Sequence, residues 1–246
     1  MSFDGQSSME TFRRAVADTE RAFAALQRHT AGADDGVSAV VDSVIGHLKS
    51  SDALLVPVLG SQPGAWSRAH TAAIITVVAL RIGMELDYTH PALSQLGQAA
   101  LLHELGTGEQ TRADDDSPLS VPADPDAKIV AVAATYAHLS RQLPAGRRTW
   151  PPAAVKEILR RGRARFPDAI LKALIQISVQ FPIGGFVRLN SGELARVVAK
   201  NEGLPLRPVV VVAGRQAKQP SEPKRVDLRD NPFLFIVEFL GAEVPE

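Results

Sequence analysis

The 246-residue chain contains no cysteine. Disulfides and thiolate-bound metals are therefore excluded, which fits a reducing cytoplasm. Aromatic residues make up only 5%, so the core must be assembled from small aliphatics, as in closely packed helices. Neither sign of charge is in excess: 27 Lys and Arg balance 27 Asp and Glu. Nothing pulls the chain as a whole toward nucleic acid or an anionic membrane. The longest apolar stretch, Thr71 to Leu80, is far short of the roughly 20 residues that span a bilayer. The opening residues, MSFDGQSSMETFRR, lack the basic and apolar regions of a signal peptide. These absences lead to the expectation of a cytoplasmic protein with neither DNA nor membrane as partner.

What is present is mostly helical pattern. Residues 7–29 place Met9, Phe12, Val16, Phe23 and Leu26 on one face, with Ser7 and Glu10 spaced as a capping box. A second helix carries Val37, Val40, Val41, Val44, Ile45 and Leu48. Ser51 or Asp52 can cap a short third helix, which Pro57 bends or ends. Ser67 caps a helix running to about Met84, and His90-Pro91 opens one that ends at Gly106. The segment 107–125 is polar, acidic and aperiodic, and reads as a loop. Asp124 and Pro125 open a further helix with Ile129, Val132, Ala133, Tyr136 and Leu139 periodic, and two more occupy about 152–161 and 167–180.

At Phe181-Pro182 the period changes from 3.6 to 2. Val187 and Leu189, then Leu194 and Val197, flank Asn190-Ser191-Gly192-Glu193, a hairpin signal. Residues 207–213 and 225–228 read as further strands. The four consecutive residues Val209 to Val212 want cover on both faces, which argues that the sheet packs on the helices. Asn231-Pro232 has the look of a cap and first turn for a last short helix bearing Leu234, Val237 and Leu240, with a strand as the alternative. The fold expected is mostly α: a helical bundle with a small C-terminal antiparallel β subdomain. Its parts are an N-terminal helical region at 1–59, a helical domain at 60–182 and the β subdomain at 183–246.

Chemistry is suggested in one place, the helix pair from Arg68 to Gly106. WSRAHTAAIITVVALRIGMEL is entered through His70, and QAALLHELG ends on His103-Glu104. Together with AKIVAVAATYAHLSR and the turn and hairpin of FPIGGFVRLNSGE, these pieces resemble the HD-GYP family. Its members are HD-superfamily metallo-phosphohydrolases that cleave cyclic di-GMP in bacteria. The resemblance covers roughly residues 37–230. It implies an HD-domain-like bundle, with His70 at the first metal-ligand position and His103-Glu104 at the His-Asp doublet.

The departures from the family pattern bear on function. Glu104 replaces the doublet's aspartate and carries its carboxylate about a bond length further, where metal–oxygen distances of ~2.0–2.2 Å leave little slack. Thr107 and Gly108 stand where a lysine is expected. The central block with two further histidines and the Gly-Tyr-Pro motif is missing, and Ala134 best matches the late metal-binding aspartate. His70, His103 and Glu104 thus read as a vestigial metal site, with no catalytic residue and no cofactor expected. A single divalent metal at these three is the alternative, with His138, one turn past Ala134, a substitute ligand of last resort. His29, His47 and His90 lie outside the matched motif.

A second feature is charge. Arg160, Arg161, Arg163 and Arg165 stand in a basic stretch opposed only by Glu157. A solvated surface is one reading and a phosphate-bearing ligand, cyclic di-GMP included, is the other. The leading expectation is a catalytically inactive HD-GYP-like regulatory or interaction module of bacterial signalling, with a protein partner or a second copy, dimerising through the N-terminal helices. The alternatives are a divergent metal-dependent phosphohydrolase and a cyclic di-GMP receptor that does not hydrolyse its ligand.

Overall fold

A computed structural model describes residues 5–29, 32–60, 66–106, 124–142, 153–162, 165–179, 181–214 and 224–241. Among these residues are eight helices followed by five strands. The helix at the centre is α4 (Arg68–Glu85), which is apolar all round: Ala72 through Leu80, Ile82 and Gly83 are buried without interruption. A helix with no polar stripe is stable only when covered on every side. α1 (Gly5–Gln27), α2 (Ala33–Ser50), α3 (Leu55–Leu59), α5 (His90–Gly106), α6 (Pro125–Gln142) and α8 (Asp168–Val179) all pack against it. α7 (Ala153–Gly162) joins by burying Ala154, Val155 and Ile158 against α6 and α8.

The start signals for α4 and α6 work as the sequence indicates. Ser67 Oγ accepts the backbone N–H of His70 at 3.1 Å, and Asp124 Oδ2 accepts that of Ala127 at 2.8 Å. Both satisfy donors that a helix leaves free at its first turn. Two other caps differ from expectation. α1 begins at Gly5, so Ser7 sits inside its first turn rather than at the cap. At α3 the residue before the helix is Leu54, with no side-chain cap. Asp52 instead accepts the N–H groups of Leu55 and Val56 on its backbone carbonyl, and its carboxylate is engaged elsewhere. Pro57 lies within α3, near enough to its start that the missing N–H costs no helical bond.

Close approach in the bundle depends on Gly97. A Cβ there would come within 2.5 Å of Val41 and 3.2 Å of Leu80, so α5 can sit between α2 and α4 only with hydrogen at this position. Further along, Tyr88 Oη donates to Asp126 at 2.9 Å and ties the turn after α4 to the start of α6. α1 packs on α4, and α2 on both α4 and α5. The N-terminal helices therefore cover the central pair.

The strands β1 (Phe186–Leu189), β2 (Leu194–Ala199), β3 (Val209–Gly214), β4 (Lys224–Asp227) and β5 (Ile236–Gly241) form one antiparallel sheet in the order β4-β3-β2-β1-β5. The β1–β2 hairpin turns at Gly192, with φ 84°. Val209, Val210 and Val212 are buried, as the valine run requires. The expected last helix is a strand: β5 pairs along β1, with Val187 opposite Phe239 and Leu189 opposite Ile236. Asn231-Pro232 forms a turn instead, in which Leu234 N–H reaches Asn231 O at 3.0 Å. Asn190 then fastens the approach to β5. Its side chain donates to Phe233 O at 2.9 Å and accepts Phe235 N–H at 3.0 Å.

The sheet is docked on the helices. Asp52 Oδ2 pairs with Lys200 Nζ at 2.7 Å and accepts Ile183 N–H at 3.2 Å. Phe239 lies 6.2 Å from Phe181, centroid to centroid, and Gly60 of the α3 end abuts Gly241 of β5. Among the described residues no helix is long and apolar enough to cross a membrane.

Candidate functional site

The first turn of α4 and the last turn of α5 lie together because the two helices pack antiparallel along their length. Arg68 Nη2 donates to the backbone carbonyl of Glu104 at 2.9 Å, fastening one end to the other. That carbonyl is one of the acceptors a helix leaves free at its C-terminus, and a cation suits it.

Glu104 is buried, and its Oε1 stands 3.4 Å from His138 Nε2 on α6. Burial works against ionisation, but His138, His103 and Arg68 outweigh it and hold the carboxyl below the usual carboxylate range. Burial pushes the His103 imidazole below its ordinary value; Glu104 opposes that and His138 reinforces it. Glu104 Oε1 and His138 Nδ1 are both buried without a hydrogen-bond partner, an uncommon condition for polar atoms in a folded interior.

His70 stands in the first turn of α4. Its backbone N–H is spent on the Ser67 cap. Its ring stacks on Trp66 at 5.0 Å and 20°, and meets Phe12 edge-on at 5.2 Å. Burial lowers its basicity. The aromatic contacts on two sides explain the ring's place in the packing between α1 and α4.

The structure thus brings together His103, Glu104, His138 and Arg68, and sets His70 among aromatic rings. The metal implied by the resemblance finds a poor fit. Among the described residues, no three His, Asp or Glu side chains form a group that could hold a metal ion. Two of the four clustered residues were weak in sequence. His138 signalled itself only by lying one turn after Ala134, and Arg68 had no signal beyond its place in a first turn.

The basic stretch is less concentrated than its composition implies. Arg160 is exposed and its guanidinium forks onto Glu157, Nε to Oε2 at 2.9 Å and Nη2 to Oε1 at 2.7 Å. The two donors best suited to a phosphate therefore face a carboxylate within the same helix. Arg165 is half-buried in the turn before α8. Arg163, the side chain of Arg161 and all of the acidic segment except its last two residues lie outside the described residues. Of the other histidines, His47 Nδ1 contacts Ser43 O at 2.7 Å on its own helix, His90 is exposed at the start of α5, and His29 adopts φ 50° after α1.

No curated protein and no solved structure matches the chain. Residues 186–243 match the family model described as KOW domain associated with HD domain. That span begins at β1 and takes in the whole sheet, so the family match points to an HD-domain protein context for the helices that precede it.

Proposed function

We propose that the protein is a non-catalytic relative of the HD-GYP phosphodiesterases, acting as a regulatory or interaction module in bacterial signalling of the cyclic di-GMP type. The observation that carries this reading is the content of the doublet site. Where a hydrolytic centre needs several fixed ligands and an open position, Glu104 faces a histidine and an arginine-bound backbone, and His70 is packed between aromatic rings. The interaction half of the reading is supported by exposed apolar side chains on the approach to β5 and at its start. Phe233 is 90% exposed, and Phe235 and Val237 follow it at alternate positions, also exposed. Apolar side chains exposed in succession are candidates for contact with a partner.

The enzymatic reading draws on the same place: the Glu104 oxygen without a hydrogen-bond partner lies 3.4 Å from the His138 imidazole, and His103 is its neighbour in the chain. Hydrolysis separates the two. Incubated with cyclic di-GMP and Mn²⁺ or Fe²⁺, the full chain is expected to yield no linear dinucleotide above the buffer rate. Turnover that disappears in His103→Ala would establish the phosphohydrolase. Binding of cyclic di-GMP without turnover, weakened by Arg160→Ala, would establish a receptor instead.

A further inference from the structure

Seven large apolar side chains are exposed among the described residues, and five of them lie on two short segments: Leu204 and Leu206 before β3, and Phe233, Phe235 and Val237 on the way into β5. Arg207 draws the two segments together. Its guanidinium donates to the backbone carbonyls of Leu228 at 3.0 Å, Asn231 at 3.3 Å and Pro232 at 3.2 Å. Leu206 precedes that arginine and Phe233 follows Pro232, so side chains 52% and 90% exposed are carried on tethered neighbours. Alternation turns one row outward: Leu234 and Ile236 pack on the core, while Phe233, Phe235 and Val237 are exposed. Asn190 holds the backbone of Phe233 and Phe235 in place. The opposite edge of the sheet differs, because β4 exposes Lys224 and Arg225, charges of the kind that discourage pairing.

The charge around the apolar segments indicates what they fit. Neither 204–206 nor 233–237 contains a charged residue. The arginines around them are engaged: Arg207 on carbonyls, Arg188 on Glu238 at 3.0 Å, and Arg229 between Asp227 at 3.3 Å and Asp230 at 3.6 Å. A phosphate backbone or an anionic bilayer finds little here to hold it. Arg229 and Asp230 are both more than half exposed, so the rim presents one charge of each sign. Two-fold pairing needs a surface complementary to itself, and an apolar centre with an Arg–Asp rim meets that need. The chain has no net charge to repel a copy.

We propose that this end of the sheet is a self-association surface: a second copy of the chain docks on it about a two-fold axis, with Phe233 of each copy covered by the apolar residues of the other and Arg229 facing Asp230 across the rim. The surface is small, so the dimer is weak and the chain is a monomer in dilute solution. The inference rests on the interaction half of the function proposed above and names its partner.

Sedimentation equilibrium of the full chain, from low micromolar to several hundred micromolar, tests it. A monomer–dimer equilibrium is expected. Phe233→Asp is expected to weaken it on the order of tenfold or more, and Leu206→Ser to weaken it less, with the melting of both variants in dilute solution unchanged. Because the chain has no cysteine, a single introduced thiol reports the contact. Pro232→Cys, at an exposed position beside Phe233, is expected to give disulfide-linked dimers under mild oxidation, and Ala17→Cys on the exposed face of α1 is not. Wild-type protein that stays monomeric throughout would overturn the inference. So would a dimer that Phe233→Asp leaves intact, or one that links through Ala17→Cys, since the N-terminal helices would then form the contact. Monomers that pellet with phosphatidylcholine–phosphatidylglycerol vesicles, and cease to in Phe233→Asp, would assign the surface to a bilayer instead. Hydrolysis of cyclic di-GMP would overturn the non-catalytic reading and leave the dimer surface standing.

Discussion

Phe239→Ala is expected to lower stability by about 3–5 kcal/mol, the usual loss for a large aromatic removed from a packed core. The side chain is 2% exposed and stands where the sheet meets the helices. On β5 it lies opposite Val187, and across the junction it meets Phe181. A Cβ on Gly185 would come within 2.5 Å of its ring, so the backbone of the turn before β1 closes directly over it. Little nearby can move in to fill the hole, because that turn is pinned. Gly185 N–H reaches Pro182 O at 3.1 Å, and Gly184 N–H reaches Val197 O at 2.8 Å. Urea unfolding measures the loss. Hydrogen exchange locates it, with amides of β1 and β5 expected to lose protection before those of α4. Phe233→Ala is the control, because its side chain is 90% exposed and surface changes stay within about 0.5 kcal/mol. Equal losses from the two variants would show that Phe239 does not hold the junction.

Tyr136→Ala carries an effect of similar size, about 3–5 kcal/mol. Tyr136 is 1% exposed on α6, and its hydroxyl donates to the backbone carbonyl of Val58 at 3.2 Å. The ring is buried in the core, and the hydroxyl ties α6 to α3. Burial raises its pKa well above the ordinary phenol value, with Ser140 opposing, consistent with a hydroxyl shut away from water. Tyr136→Phe removes only the hydrogen bond and is expected to cost about 1 kcal/mol. The difference between the two variants, read by denaturant midpoint at constant slope, isolates the ring's packing. A Phe variant as unstable as the Ala variant would assign the stability to the hydroxyl and contradict this account.

Much of the fold could be read from residue order, because the relevant signals are local. The capping residues Ser67 and Asp124 act within one turn of their own helices. The all-apolar face of α4 states its own burial, and Val209 to Val212 demand cover wherever the strand lies. Residues 231–240 were ambiguous for a physical reason. Asn-Pro suits a helix start, and Leu234, Val237 and Leu240 are spaced as a helix would have them. The deciding interactions are non-local: β1 offers a free edge, and Asn190, distant in sequence, binds Phe233 and Phe235. Irregular register beside Val237 and Leu240 breaks the alternation that would have betrayed a strand.

The site was legible as a place and less so as an arrangement. His103 and Glu104 sit together because they are adjacent. The ring of His70 packs against Trp66 and Phe12, the latter from a helix remote in sequence. His138 comes in from α6 only when three helices are packed. Which side chain faces Glu104 is thus a tertiary fact that helical periodicity could narrow but not choose.

The central claim is that the doublet site at His103 and Glu104 holds no catalytic metal. Metal analysis of the purified full chain, supplied with manganese, iron and zinc during expression and then desalted, tests it most directly. The account predicts no stoichiometric transition metal. Two metal ions per chain, lost together with hydrolysis in His103→Ala, would contradict it.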